Sequence, residues 1–438
     1  MNQVLIAGGV FLLTYALIVT ERVHRTLAAL AGGIAMIILG VLSQQQAFVA
    51  VDWNVIFLLA GMMSIANVLR ETGLFQWIAV QSVRLGRGRP FAILAILSLV
   101  TALSSALLDN VTIVVLVAPV TLFVAASLQL SPVPFLIAEI LASNIGGTAT
   151  LIGDPPNILI GSAAHLDFLT FAANLTPISL LIMLAFVGLA WFMFRAELRV
   201  KVDGAVALEA GLPASARGVT LMTANLRGLD AASLITNRQL LRKGLIVMGG
   251  VIIGFLVHGM LNLQPATIAL GGAVILMLWA RLEPYHVLRD VEWTTLFFFM
   301  GLFIIIEAVV RVGIIEGMAR AALRLTGGNV RLTAMLLLWL SALVSGFVDN
   351  IPYTATMIPL VQSLAVNMPA EPLWWSLALG ACLGGNATLV GASANVVVAS
   401  LAERSGHRLT FKMFLLYGVP VTLVSLLLST FYIWWRYL

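Results

Sequence analysis

The chain holds one cysteine and five histidines in 438 residues, and only 10% of its residues are charged. A lone thiol, Cys382, excludes a disulfide within the chain and a cysteine-cluster metal site. It also excludes capture of a metalloid by three thiolates. There is no H-E-x-x-H and no Gly-Lys pair, so there is no P-loop of the form G-x-x-x-x-G-K-[ST] and no ATP use by that route. The sequence therefore predicts no catalytic constellation, no bound metal and no organic cofactor. The scarcity of charge, set against 61% hydrophobic residues, excludes an ordinary soluble domain. A net charge of +5 in such a chain reflects membrane topology, and nucleic acid is not an expected partner.

What is present is apolar length. Runs able to span a bilayer fall at about 3–20, 26–43, 54–69, 133–163 and 175–194, and again at about 244–261, 265–280, 293–310, 373–403 and 413–435. Residues 3–20 lack a basic segment before them and are expected to form the first span rather than a cleaved signal. Two further apolar stretches, 90–128 and 331–367, are each split by an Asp-Asn pair. If these are re-entrant hairpins, the Asp-Asn tips stop near the midplane, where protein must cover irregular backbone.

The chain repeats itself. Leu108-Asp109-Asn110-Val111-Thr112 returns as Val348-Asp349-Asn350-Ile351-Pro352. Asn144-Ile145-Gly146-Gly147-Thr148-Ala149-Thr150-Leu151-Ile152-Gly153, followed by Asp154-Pro155-Pro156-Asn157, returns as Cys382-Leu383-Gly384-Gly385-Asn386-Ala387-Thr388-Leu389-Val390-Gly391, followed by Ala392-Ser393-Ala394-Asn395. Duplicated apolar halves interrupted by polar, glycine-rich stretches mark a secondary transporter.

Basic residues orient the halves. With re-entrant hairpins and an outer N-terminus, all of the 24 Lys and Arg residues fall on the cytoplasmic side except Arg311, Arg320, Arg324, Arg331 and Arg436. Each half then has five spans, so the second is inverted. The predicted fold is an all-α polytopic membrane protein with two inverted-topology repeats. Each repeat has five spanning helices, one of them broken, plus one re-entrant helical hairpin. Repeat 1 covers 1–195 (hairpin 90–128, broken helix 133–163) and repeat 2 covers 243–438 (hairpin 331–367, broken helix 373–403). Residues 196–242 form a cytoplasmic linker. Basic amphipathic segments at about 71–88 and 311–328 are expected to lie in the interface.

Acid inside the membrane is the strongest chemical signal, since an ionisable group there is costly and argues for function. Asp109 and Asp349 belong to the hairpin tips. Asp154 belongs to a helix break, because Gly153 and Pro155-Pro156 interrupt helical hydrogen bonding. These three are the candidates for proton or ion coupling. The candidates for holding solute are Asn110, Thr112, Asn144, Gly146, Gly147, Thr148, Thr150 and Asn157 in repeat 1. Their partners in repeat 2 are Asn350, Thr354, Gly384, Gly385, Asn386, Thr388, Ser393 and Asn395. Glu139, near the cytoplasmic start of its helix, suits a structural or snorkelling role, whereas Glu307 lies deeper and is open to proton relay. None of the five histidines sits where a relay is needed. An intramembrane aspartyl protease fails on its G-x-G-D signature, because Leu151 stands two before Gly153.

These paired motifs resemble the ion transporter superfamily that includes arsenical pump membrane proteins and sodium/proton antiporters of the ArsB/NhaD type. The stretches Phe347–Pro359 and Ala381–Thr388 look closest to the melanosomal P protein branch. The resemblance implies a homodimer working by an elevator-type alternating-access mechanism, in a bacterial or archaeal plasma (inner) membrane. Dicarboxylate carriers of the superfamily have Ser-Asn-Thr at the hairpin tip. Asp-Asn at both tips here instead suits protons, cations or an uncharged hydroxylated solute. The resulting expectation is proton-coupled efflux of arsenite or antimonite, a small inorganic solute. The alternatives are Na⁺/H⁺ antiport, with Na⁺ as coupling ion, and transport of a carboxylate or other anion. A soluble ATPase could dock on the linker.

Overall fold

The computed structural model describes residues 2–20, 22–87, 89–128, 130–195, 197–198, 234–261 and 263–438. Most of the linker predicted at 196–242 lies outside them. Repeat 1 consists of α1 (Asn2–Thr20), α2 (Arg25–Ile38), α3 (Gln44–Val49), α4 (Trp53–Glu71), α5 (Leu74–Leu85), α6 (Pro90–Ser105), α7 (Asn110–Ser127), α8 (Val133–Gly147), α9 (Pro155–Ala163) and α10 (Phe168–Phe194). Repeat 2 follows the same order. It consists of α11 (Arg238–Leu261), α12 (Pro265–Ala280), α13 (Pro284–Arg289), α14 (Trp293–Arg311), α15 (Ile314–Thr326), α16 (Val330–Ser345), α17 (Asn350–Ala365), α18 (Ala370–Gly384), α19 (Ser393–Arg404) and α20 (Phe411–Tyr437). Each helix thus has its mate ten places later, and the described residues contain no strand.

The duplication reaches the punctuation. Gly73 and Gly313, at φ 79° and 82°, turn the chain between α4 and α5 and between α14 and α15, a left-handed conformation that glycine adopts at no steric cost. Thr410 caps α20 at the Met413 N–H as Asp167 caps α10 at that of Thr170. The predicted interfacial segments form α5 and α15, and the 90–128 and 331–367 stretches form the hairpins α6–α7 and α16–α17. The first tip is buried, with Asp109 8% and Asn110 2% exposed; in the second Asn350 is buried while Asp349 lines a cleft.

Packing between repeats gives the inversion. Thr26 at the start of α2 donates to the Thr294 carbonyl at the start of α14 (2.8 Å), and further along Gly33 meets Gly301 and Ile304, so α2 and α14 run parallel. Likewise the Asn54 side chain on α4 accepts from Ala266 N–H on α12 (3.1 Å), and Gly61 meets Ala269. Because α2 and α4 are successive spans of opposite direction, α14 opposes its own mate α4. Both crossings need glycine: a Cβ on Gly61 would lie 2.6 Å from the Ala269 carbonyl carbon, and one on Gly301 2.6 Å from that of Ala29.

Among the described residues six helices are long and apolar enough to cross a bilayer unaided: α1, α4, α10, α11, α14 and α20. The broken helices are pairs of shorter pieces, of 15 and 9 residues in repeat 1 and of 15 and 12 in repeat 2. One expected span is shorter than the apolar run suggested. The 26–43 run stops at Ile38, because Gly40 turns at φ 73° and Ser43 forms a capping box with Gln46 that starts α3.

Candidate functional site

The two breaks, 148–154 and 385–392, are built to one plan. Asn157 donates to the carbonyls of Gly147 (3.1 Å), Thr148 (3.3 Å) and Thr150 (2.9 Å), and Asn395 to those of Gly385 (2.8 Å) and Thr388 (2.9 Å). These amides replace the hydrogen bonds lost where the helix ends, which hydrocarbon would not supply. Thr150 donates to the Ala106 carbonyl and Thr388 to the Gly346 carbonyl, tying each break to its own hairpin tip. Ser105 to Ser143 O (2.8 Å) and Ser345 to Ala381 O (2.6 Å) repeat the tie one turn away. Gly146 and Gly384 let the hairpin backbones at Ala102 and Ala342 approach, while Gly147 and Gly385 face Gly153 and Gly391 across their own breaks. Thr148 bonds to the Asn144 carbonyl on its own helix (2.7 Å).

The breaks also meet each other. Asn144 donates to Asn386 Oδ1 (2.9 Å) and Asn395 Oδ1 (3.0 Å) and accepts from Asn110 (3.1 Å). Cys382, the repeat mate of Asn144, donates to Asn157 Oδ1 (3.3 Å), and Asn386 reaches the Leu141 carbonyl (3.3 Å). All are buried. Thus the sequence candidates converge on one central place. Several of them, Asn144, Asn157, Asn395, Thr150 and Thr388 among them, already spend hydrogen bonds on the protein. Two buried tip atoms have no partner among the described residues, Asn110 Oδ1 and Thr354 Oγ1.

The three aspartates have different surroundings. Asp109 is closed on itself: it N-caps α7 at the Thr112 N–H (3.0 Å) and also accepts from the Thr112 hydroxyl. Asp154, 1% exposed, receives Asn350 Nδ2 at 3.1 and 3.4 Å from the opposite repeat. Asp349 caps α17 at Ile351 N–H (3.0 Å) and pairs with Arg25 Nη1 (3.2 Å), which also donates to the Ser393 hydroxyl. The Arg25 guanidinium lies over the Phe298 ring at 5.5 Å. A cleft of roughly 350 Å³ opens there, lined by His24, Arg25, Phe347, Asp349 and Ser393 among others.

Arg25 was not legible as a site residue. In the sequence it counts only toward loop charge, and its repeat mate is Pro265, so the duplication gives no hint of it. Tyr15 was also missed; its hydroxyl donates to the Pro352 carbonyl (2.7 Å) and meets Thr356, linking α1 to the second hairpin. Two acids change their reading. Glu307 is partly exposed and pairs with Arg311 on its own helix (3.7 Å), which removes it from the buried site. Glu139 does not snorkel, being 1% exposed.

Residues 15–380 match the citrate transporter family (CitMHS). The chain belongs to the citrate transporter family. Within reach of this citrate transporter family member are an uncharacterised transporter of Mycobacterium tuberculosis, 43% identical over 440 residues (99% of this chain and 98% of the relative), and a 46 kDa membrane protein of Mycobacterium leprae, 43% identical over 441 residues (99% of each). The human P protein is 35% identical over 492 residues, covering 97% of this chain and 59% of that protein, so the likeness read from the second-repeat motifs holds. The crystal structure of the Alcanivorax borkumensis YdaH transporter superposes with a TM-score of 0.53 at 15% identity, covering 99% and 98% of the two chains, a likeness of fold. This family member is therefore an integral membrane transporter and not an enzyme.

Proposed function

We propose that this family member is a secondary carrier of a small carboxylate anion, citrate being the first candidate, moved together with protons. The carrying observation is Arg25, a cation set at the mouth of the site and held there by Asp349 and Ser393. Four helices, α7, α9, α17 and α19, begin at the hairpin tips and breaks, so their N-terminal partial positive charges favour an anion there. At α19 the cap position is Ala392, which has no polar side chain to occupy the first amides.

Exchange of partners supplies the coupling. A substrate carboxylate takes the guanidinium from Asp349, which holds it through one nitrogen, and can engage it through two. Asp349, left without its cation in a low-dielectric site, is relieved by a proton, so anion and proton load together. Asp154 and Asp109 are the further proton candidates, and Na⁺ is the alternative coupling ion. Asn110 and Thr354 supply neutral contacts to the solute. We place the central linker in the cytoplasm of a bacterial plasma membrane, and the carrier in a homodimer moving by an elevator mechanism.

Arsenite or antimonite efflux is the second reading, because the unpartnered neutral atoms Asn110 Oδ1 and Thr354 Oγ1 could bind an uncharged trihydroxide. No relative named above is described as carrying a metalloid, and a soluble ATPase partner belongs to this reading alone. The test is reconstitution into vesicles, following internal pH and labelled solute. Proton movement dependent on citrate is expected. Proton movement on arsenite alone, or on Na⁺ alone, overturns the carboxylate assignment.

A further inference from the structure

Glu139 lies on α8, between its first residue Val133 and the break that begins at Thr148, and is 1% exposed. The buried hydroxyl of Thr121 on α7 faces it, and neither that hydroxyl nor either carboxyl oxygen has any other hydrogen-bond partner among the described residues. Glu139 takes part in no ion pair among those residues. Helices α6, α7, α10, α18, α19 and α20 pack around α8. Their charged residues are Glu371, Glu403, Arg404, Lys412 and Arg436, all near helix ends, and none reaches Glu139. Their other titratable groups are engaged elsewhere: Cys382 with Asn157, Tyr417 with Glu197, and Tyr432 and Tyr437 with Asn174.

The second repeat serves as a built-in control. At the position of Glu139 it has Leu377, and at that of Thr121 it has Val361, both 0% exposed. The same packing is thus met by an apolar pair, so the fold does not require a carboxyl at this place. A buried carboxylate with no cation and only one neutral hydroxyl beside it is costly, and a proton removes most of that cost. An acid kept at such a position, on the helix that carries Asn144 and leads to Asp154, is placed to store a proton.

We propose that Glu139, facing Thr121, is a proton-binding site of repeat 1 separate from the three aspartates, and that it gives up its proton during the transport cycle. Its part in transport rests on the proton-coupled reading above; its protonation does not.

Two variants test this, Glu139→Gln and the double change Glu139→Leu with Thr121→Val, which copies the pair that repeat 2 already packs. Infrared difference spectra of the reconstituted protein, taken between low and high pH, should show a protonated-carboxyl band that both variants lose. Net proton-driven citrate uptake should fall about tenfold and lose its wild-type pH profile, while citrate–citrate exchange, which needs no net proton movement, persists. An unchanged carboxyl band overturns the proton site. Loss of uptake and exchange together in a folded variant also overturns it, because that is the mark of a merely structural residue. If the wild type moves no protons with citrate, the carboxylate reading fails, and the infrared band still decides whether Glu139 holds a proton.

Discussion

The two hairpin tips share the same Asp-Asn pair and in each the aspartate caps the helix that follows, Asp109 at the Thr112 N–H and Asp349 at the Ile351 N–H, yet they are wired differently. Asp109 satisfies itself within four residues through Thr112. In Asp349 the corresponding outer bonds go to Arg25 on another helix and to Ser393 at the opposite end of a break. Behind the tips the asymmetry continues, with Asp154 in one break where the other has Ala392. Duplication supplied two like frames, in which one tip is a closed cap and the other is held in an ion pair with Arg25.

Making the halves alike should break function in graded steps. Asp154→Ala copies repeat 2 and leaves the buried Asn350 amide without its acceptor. Leaving a buried donor unpaired costs about 1–3 kcal/mol, so net proton-coupled uptake should fall roughly 5–100-fold in vesicles, with unchanged helical circular dichroism. Arg25→Gln comes next. Breaking a buried pair is severe, but Arg25 and Asp349 are 30% and 17% exposed at their side chains, so the discounted cost is about 1–2 kcal/mol. The expectation is a KM for citrate raised about tenfold, with Arg25→Lys in between because the fork geometry is lost and the charge kept. Asp109→Ala should act on stability rather than affinity, lowering resistance to thermal unfolding in detergent by about 1 kcal/mol through the lost cap, and Asp109→Asn should restore it. Ser393→Ala, which removes one hydroxyl from the Arg25 cluster, should cost about threefold in uptake or less. If Asp109→Asn instead matched Asp349→Asn in its effect on citrate affinity, the contrast between the tips would be void.

The sequence carried the repeats, the hairpins and the breaks, because these are written in local chemistry: Asp-Asn tips, Gly-Pro interruptions and apolar length. Local chemistry also explains the miss at α2. Gly40 and Ser43 outweigh the apolar character of the 26–43 run, and the window of hydrophobicity does not see them. The Asn110–Asn144–Asn386–Asn395 network was legible only as a set of candidates, since which amide meets which depends on two breaks 238 residues apart crossing in space. Arg25 was hidden because its role comes from the neighbour it lands beside, and Glu139 because distance along a helix from its first residue is a poor guide to burial when six other helices surround it.

The helices are also unequal in a way that concerns lipid. α10 and α20 pack together and have 27 residues each, about 40 Å of helix, whereas α2 and α12 have 14 and 16, about 21 and 24 Å. A hydrocarbon layer of about 30 Å matches neither set. The long pair is accommodated by tilting, by bending at its internal Pro177 and Pro420 or by a thicker layer, and the short pair by a thinner one, each at a modest cost for every ångström of mismatch. The protein therefore wears an uneven lipid collar, and acyl-chain length becomes a variable that any vesicle assay of its turnover has to hold fixed.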